Sequence, residues 1–332
     1  MGVRIARSGL AAAVGRAGAI GCISSVGLGS IEGSMVDYIK ESNKSLKEEI
    51  QKARQLAPDG ILAINAMVAI SNYNDIVKTC VEENVDMIIS GAGLPLNLPE
   101  LTSGSNIKLV PVVSSGRAMN LILRTWHRRY QKMPDAVIVE GPYCGGHMAF
   151  TREQLAEPSK VPLSSILTDV KQALAPYEAE YGCRVPLLGA EAITNCEDVL
   201  KMLEMGFDGV QIGTRFICTE EASIDIKSKE VYLKAKTEDI IIMDSPVGMP
   251  VKVLRTPLSE KLIRGEKIPF GCPFQCLRGC QASKANFCIA DALLKTCFGE
   301  VDEGLFMTGS AVEKINDIIS AEEFFVPFKN YL

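Results

Sequence analysis

Short apolar runs alternate with amphipathic stretches along the first two thirds of the chain. The runs at 18–24, 60–67, 87–90, 108–114, 136–140, 185–190 and 209–213 have strand length and little internal polar alternation. That is the pattern of strands buried on both faces. Between them, 47–56, 74–83, 117–131, 163–174 and 196–205 carry apolar positions at helical spacing. The alternation predicts a parallel sheet with right-handed crossovers. So many such units in succession favour a closed TIM-type barrel over an open doubly wound sheet. One irregularity stands at the start, where a helix-like segment, 9–17, precedes the first good strand. Either the barrel has seven strands, or the first strand is missing and the chain is a shortened version of a longer reading frame.

The pattern changes after Phe216. A helical stretch, 220–236, leads to a strand of another kind at 239–243. Pro246, Pro250, Pro257, Pro269 and Pro273 follow, together with a group of cysteines. The expected organisation is a barrel at 1–219 and a smaller lid or substrate domain at 220–300. The remainder, 301–332, is expected to pack back on the barrel through a closing helix at 311–319.

Composition narrows the class. With 332 residues, 47% of them apolar and 23% charged, the chain can bury a sizeable core. A net charge of −5 argues against a nucleic-acid surface, which needs a basic excess. No apolar run approaches the ~18 residues of a membrane span. Near the start, Arg16 interrupts the stretch that an export signal would need. A cytoplasmic location is therefore expected, with small-molecule substrates rather than nucleic acid or membrane as partners, and self-association left open. The 11 cysteines are odd in number and read as reduced thiols rather than a disulfide scaffold.

The sharpest chemical segment is Val137-Ile-Val-Glu-Gly-Pro-Tyr-Cys-Gly-Gly-His147. A buried strand ends at Glu140, and a glycine-rich turn delivers a histidine. On a parallel barrel the C-terminal strand ends hold the active site. Gly145 and Gly146 allow close backbone approach. The only other histidine, His127, lies on a charged helix and reads as a surface residue. His147 is therefore the candidate base for work near neutral pH. In Gly206-Phe-Asp-Gly-Val-Gln-Ile-Gly-Thr-Arg215 a strand runs into Gly213-Thr214 and a helix start, a place where exposed N–H groups attract phosphate. Asn65 interrupts an apolar run at a strand end; it either caps a turn or reaches a ligand. Ser90-Gly-Ala-Gly93 ends another strand with small residues, which either face a flat ring or turn the chain.

These motifs resemble those of the nitronate monooxygenase family, also called 2-nitropropane dioxygenase-like, which includes FMN-dependent enoyl-ACP reductases. The resemblance covers about 1–253. It implies a TIM-type barrel and non-covalent FMN, with Asn65, Glu140, Gly145 and the neighbouring Gly146 at the flavin. Gln211, Gly213 and Thr214 would hold its ribityl chain and phosphate, and His147 would be the catalytic base. The chain departs from the family at three places. The Gly-Gly-Met-type turn of a first strand would finish where this chain starts. Glu191 and Ala192 stand in place of a Gly-Gly pair near the phosphate, where a carboxylate is repulsive unless it points away or meets a cation such as Arg215. Tyr143 and Cys144 replace Glu-Ala before the Gly-Gly-His.

Cys272-x3-Cys276-x3-Cys280-x7-Cys288 is dense for a cytosolic chain. Thiolates select zinc or iron–sulfur clusters, whereas buried cysteines also pack as small hydrophobes. If the four are ligands, their sulfurs are expected to approach one point on the lid.

Three activities follow as expectations. The leading one is an FMN-dependent nitronate monooxygenase. The second is an NAD(P)H-dependent FMN reductase of enoyl thioesters, suggested by Glu140 and the 229–237 region. The third is a flavin- or cluster-binding protein without turnover.

Overall fold

The computed structural model describes residues 3–29, 34–272 and 275–330. The described residues form ten strands: β1 (Gly21–Ser24), β2 (Leu62–Met67), β3 (Met87–Gly91), β4 (Lys108–Val113), β5 (Val137–Glu140), β6 (Gly146–His147), β7 (Leu187–Ala190), β8 (Gly209–Val210), β9 (Ile240–Asp244) and β10 (Pro250–Leu254). Seven of them, in the order β1-β2-β3-β4-β5-β7-β8, make one parallel sheet that curls as a half-barrel of the TIM type. Among the described residues β1 pairs only with β2, and β8 only with β7.

Burial on both faces explains the continuous apolar runs. Ala63, Ile89, Val110, Val112, Ile138 and Ala190 pack together as one inner cluster. The intervening residues, such as Ile64, Ile88, Val137 and Leu187, belong to the large outer core under the helices. Strand side chains alternate, so Asn65 and Glu140, each two residues beyond an inner position, continue the inner face at the C-terminal strand ends. Pro111 sits inside β4 without an N–H to give. The β3 ladder ends on it, at Ser90–Pro111, and the β5 ladder begins just after it, at Val112–Ile138.

The early helix, Ser8–Arg16, runs hard against β1. A Cβ on Gly21 would stand 2.0 Å from the Ala11 carbonyl oxygen, so only glycine permits the approach. Glu49 fixes the helix start by accepting from the Ser8 N–H at 2.7 Å and pairing with Arg7. The other face of the helix, through Leu10 and Ala13, shares a second core with Cys218, Tyr232, Leu254 and Phe306.

The remaining strands form a separate antiparallel sheet, β6-β10-β9. Two expected helices differ. The stretch 220–236 becomes helical only at Ile226, because the Asp225 carboxylate caps there, accepting from Lys227 N at 2.8 Å. The expected closing helix at 311–319 is a single 3-10 turn, Val312–Lys314. Its backbone is engaged elsewhere: Ile319 O accepts from Glu220 N, and Asp317 O accepts from Arg215. No described helix is long and apolar enough to cross a membrane.

Candidate active site

His147 does not hang from a loose loop. It belongs to β6, which pairs antiparallel with β10 through Val251. Its Nε2 lies 2.7 Å from the hydroxyl oxygen of Ser245, in the turn between β9 and β10. Burial pushes the imidazole down to about 4, so the ring is neutral near pH 7. Glu140, at the end of β5, moves the other way: burial pushes its carboxyl up to about 7. A neutral base and a carboxyl poised near neutrality thus flank one glycine-rich turn.

That turn is held by groups from three distant segments. The backbone of Thr308 and Gly309 stands where a Gly145 Cβ would be, with atoms 2.4 to 2.6 Å from that position. Gly146 has φ +76°, in the region that favours glycine. The Glu191 carboxylate accepts from the Tyr143 N–H at 2.7 Å and occupies the space that a Gly141 side chain would need. Cys144 Sγ meets the Ala190 carbonyl. Lys252, buried on β10, donates to Pro142 O at 2.9 Å and to the Ser310 hydroxyl at 2.8 Å. Burial lowers the Lys252 ammonium to about 8, opposed by Cys144 and Glu191. Burial raises the Glu191 carboxyl, opposed by the Tyr143 N–H and Lys252.

The departure at Glu191-Ala192 therefore resolves within the chain. Glu191 turns into the β5 turn and is answered by backbone. Arg215 is not its cation: its guanidinium binds Asp317 Oδ1 at 2.7 Å and the Cys218 carbonyl at 3.0 Å. Ala192 keeps φ +52°, a conformation that costs an alanine more than the glycine expected there.

At the end of β2 and in the turn after β8 the chain leaves positions open. Asn65 is buried; its Nδ2 reaches Ile89 O at 3.4 Å, while its Oδ1 has no partner among the described residues. Gly213 has no atom within 4 Å of where a Cβ would stand. Thr214 begins the short helix Thr214–Ile217, and its hydroxyl accepts from Gly309 N at 3.0 Å. Gln211 extends the line of β8, its N–H donating to Gly189 O at 2.9 Å. In the segment 90–93, Ala92 and Gly93 take φ of +52° and +133°, which turn the chain after β3. His127 is half-buried on its helix, its Nδ1 3.1 Å from the Tyr181 hydroxyl.

Ser245, Lys252 and Ser310 went unmarked in the sequence. Lys252 alone left a trace, a cation inside the apolar run Val251-Lys-Val-Leu254. The cysteine expectation needs correction. Among the described residues no three His, Cys, Asp or Glu side chains are gathered closely enough to hold a metal ion. Cys272, Cys276, Cys280 and Cys288 thus do not converge on a single-ion ligand set such as zinc requires, with four sulfurs each ~2.3 Å from the metal.

A family model described as nitronate monooxygenase matches residues 1–326. A (3aS,4S,5R,7aS)-5-hydroxy-7a-methyl-1-oxo-octahydro-1H-indene-4-carboxyl-CoA dehydrogenase from Mycobacterium tuberculosis is 31% identical over 133 residues, 40% of this chain and 33% of the relative. The matched parts span about a third of the length of the first such curated relatives. Among solved structures, FabK from Thermotoga maritima superposes with a TM-score of 0.75 at 25% identity, over 98% of this chain and 90% of that one. A nitroalkane oxidase from Streptomyces ansochromogenes superposes with a TM-score of 0.72 over 98% of this chain and 93% of its own, at 15% identity, a likeness of fold.

Proposed function

Because the chain belongs to the nitronate monooxygenase family, a family of FMN-dependent oxidoreductases, we propose that it is an FMN-dependent oxidoreductase acting on alkyl nitronates and their parent nitroalkanes. The observation that carries this reading is the neutral imidazole of His147, half-buried at the mouth and oriented by Ser245. A neutral imidazole can take the acidic proton from the carbon beside a nitro group; a protonated one cannot. In the tautomer whose Nε2–H donates to Ser245, Nδ1 is the basic atom. Bound FMN supplies the electron acceptor.

The residues present fit that group. The Oδ1 of buried Asn65, without a partner among the described residues, suits a ligand offering a hydrogen-bond donor. The open space at Gly213, before a helix start, suits a phosphate. In this reading Asn65, Glu140, Gly145 and Gly146 border the flavin, and Gln211, Gly213 and Thr214 hold its ribityl chain and phosphate. Glu140, protonated in part near neutrality, can donate as well as accept a hydrogen bond there.

A second reading is NAD(P)H-dependent reduction of an enoyl thioester. The similarity to a carboxyl-CoA dehydrogenase and the likeness to FabK favour it. Anaerobic reduction of the purified yellow protein separates the two. Fast bleaching by an alkyl nitronate supports the first, and bleaching by NADH or NADPH alone supports the second. Bleaching by neither removes both.

A further inference from the structure

The segment that leads to His147 contains a tight turn, Gly141 to Cys144, closed by Cys144 N donating to Gly141 O at 3.1 Å. Its central peptide group joins Pro142 to Tyr143. The closing bond of such a turn uses neither end of that central peptide. Proline at the first central position suits both common turn types, which differ by a rotation of roughly 150° at the central peptide. Tyr143 lies outside the positive-φ region, so the chain holds one of the two orientations that Pro142 permits.

Two charged side chains address the two ends of this one peptide group. The Lys252 ammonium donates to Pro142 O at 2.9 Å, and the Glu191 carboxylate accepts from Tyr143 N at 2.7 Å. A peptide dipole is negative at its oxygen and positive at its N–H, so each charge stands at the end it stabilises. Both bonds are charge-assisted and thus of the stronger class. Lys252 carries the hold further. It lies across from Gly146 in the β6–β10 ladder, where the preceding Val251 lies across from His147. Its Nζ meets the Ser310 hydroxyl at 2.8 Å, and its carbonyl accepts from Thr308 N at 3.3 Å. One buried residue therefore touches the turn, the strand of the base and the segment that closes on Gly145.

Neutral groups could satisfy one C=O and one N–H without any buried charge, and burying ions is costly unless partners answer them. Here burial draws both groups towards neutrality, Lys252 down to about 8 and Glu191 upwards, and each charge opposes that drift in the other. The Cys144 thiol also acts on Lys252, and the Tyr143 ring centroid lies 5.9 Å from its Nζ. Directly after Glu191, Ala192 holds its costly φ of +52°. Glu191 and Tyr143, two separate departures in the sequence, meet in one contact.

We propose that Lys252 and Glu191 are positioning residues that hold the Pro142–Tyr143 peptide between opposite charges and so set where His147 stands at the barrel mouth. This rests on the reading of His147 as the base. Without one of the charges the peptide is free to rotate, and Gly145 and Gly146, the most permissive residues of the turn, pass the change to His147.

The test has two readouts on the full chain. Labelling proline at its carbonyl carbon and tyrosine at its amide nitrogen gives joint NMR signals from Pro142–Tyr143 and Pro176–Tyr177 alone. The second pair lies inside the helix Leu163–Tyr181 and serves as reference. Glu191→Gln and Lys252→Met remove one charge each with little change of size. Each is expected to move the Tyr143 amide proton upfield and leave the reference in place. With the donor that bleaches the flavin, each is expected to keep flavin content and KM and to lose kcat by up to ~100-fold, the cost of a misplaced reacting group. Methylammonium is expected to restore kcat and the signal to Lys252→Ala but not to Lys252→Met, whose side chain fills the space. Should the Lys252 variants fail to fold, Glu191→Gln carries both readouts. An unmoved Pro142–Tyr143 signal in Glu191→Gln overturns the proposal, as does a kcat within a few-fold of wild type. Loss of flavin or a shifted reference alongside the fall in kcat means general damage and overturns it too. If no donor bleaches the wild-type flavin, the oxidoreductase reading fails, and the peptide signal alone decides whether the two charges hold the turn.

Discussion

Two regions of the barrel mouth treat their polar groups differently. Around β5 the chain answers itself: Glu191 serves the Tyr143 N–H, Lys252 serves Pro142 and Ser310, and the Thr308–Gly309 backbone fills the space beside Gly145. At the end of β2 and at Gly213 it leaves positions open: Asn65 Oδ1 has no partner among the described residues, and Gly213 faces open space, while the neighbouring Thr214 joins the two regions through Gly309. Self-satisfied groups fix geometry, whereas unsatisfied buried ones are costly unless a ligand completes them. The closed side is thus suited to hold a base in place, and the open side to hold a cofactor.

The largest effect expected from this contrast is on turnover. His147→Ala removes the base but touches nothing on the open side. It is expected to keep flavin and to lose activity by ~10²–10⁴-fold, the usual worth of general acid–base catalysis. Activity within a few-fold of wild type in steady-state assays would remove His147 from the chemistry. Next comes the open side. Thr214→Glu sets a carboxylate at the proposed phosphate position and is expected to strip most flavin, as read from the absorbance of the purified protein. A fully yellow variant would place the phosphate elsewhere.

A smaller effect tests the closed side alone. Glu191→Ala leaves the Tyr143 N–H without its acceptor and is expected to cost ~1–3 kcal/mol in urea unfolding. An unchanged midpoint would mean that the turn is held by its other partners. The smallest effect is a slope. His147 titrates near 4 when folded against 6.5 in its ordinary state, so acidification through that window removes stability. Glu140 titrates near 7 against 4.5, so it binds protons preferentially when folded and acidification adds stability. In the flavin-free chain the two oppose each other between 4.5 and 6.5. Glu140→Gln is expected to steepen the acid loss and His147→Ala to reverse it, measured as unfolding midpoints across the window. Equal slopes in all three proteins would contradict both shifts.

Much of this architecture was legible because parallel strands buried on both faces leave long apolar runs, and each of the seven runs falls on a strand of the large sheet, the one at 87–90 ending a residue short of β3. The ends were less legible. The run at 209–213 pairs only over Gly209–Val210, since periodicity cannot tell a ladder from an extended lead into a turn. His147 was found because a glycine pair precedes it, but its strand partner was hidden: β10 lies more than 100 residues away, and no local pattern encodes an antiparallel addition. The same separation hid Ser245 and Ser310. The helix expected at 311–319 failed because amphipathic spacing there serves a chain that lends its carbonyls to Arg215 and Glu220. Glu191 read as a repulsive intruder, and only the fold shows it turned towards Tyr143.

The contact between Gly309 and Thr214, and that between Ser310 and the carbonyl of Tyr143, carry a consequence for the order of events during synthesis. All seven parallel strands are complete once residue 210 has emerged, and the sheet can begin to assemble from neighbours in sequence. The turn before His147 cannot reach its final shape until residues 308–310, more than 160 positions later, have arrived, and such distant closures are slow. Until then a nascent barrel has its frame without its mouth. A ribosome-bound chain halted before Met307 is thus a natural waypoint at which frame and active site are separated in time.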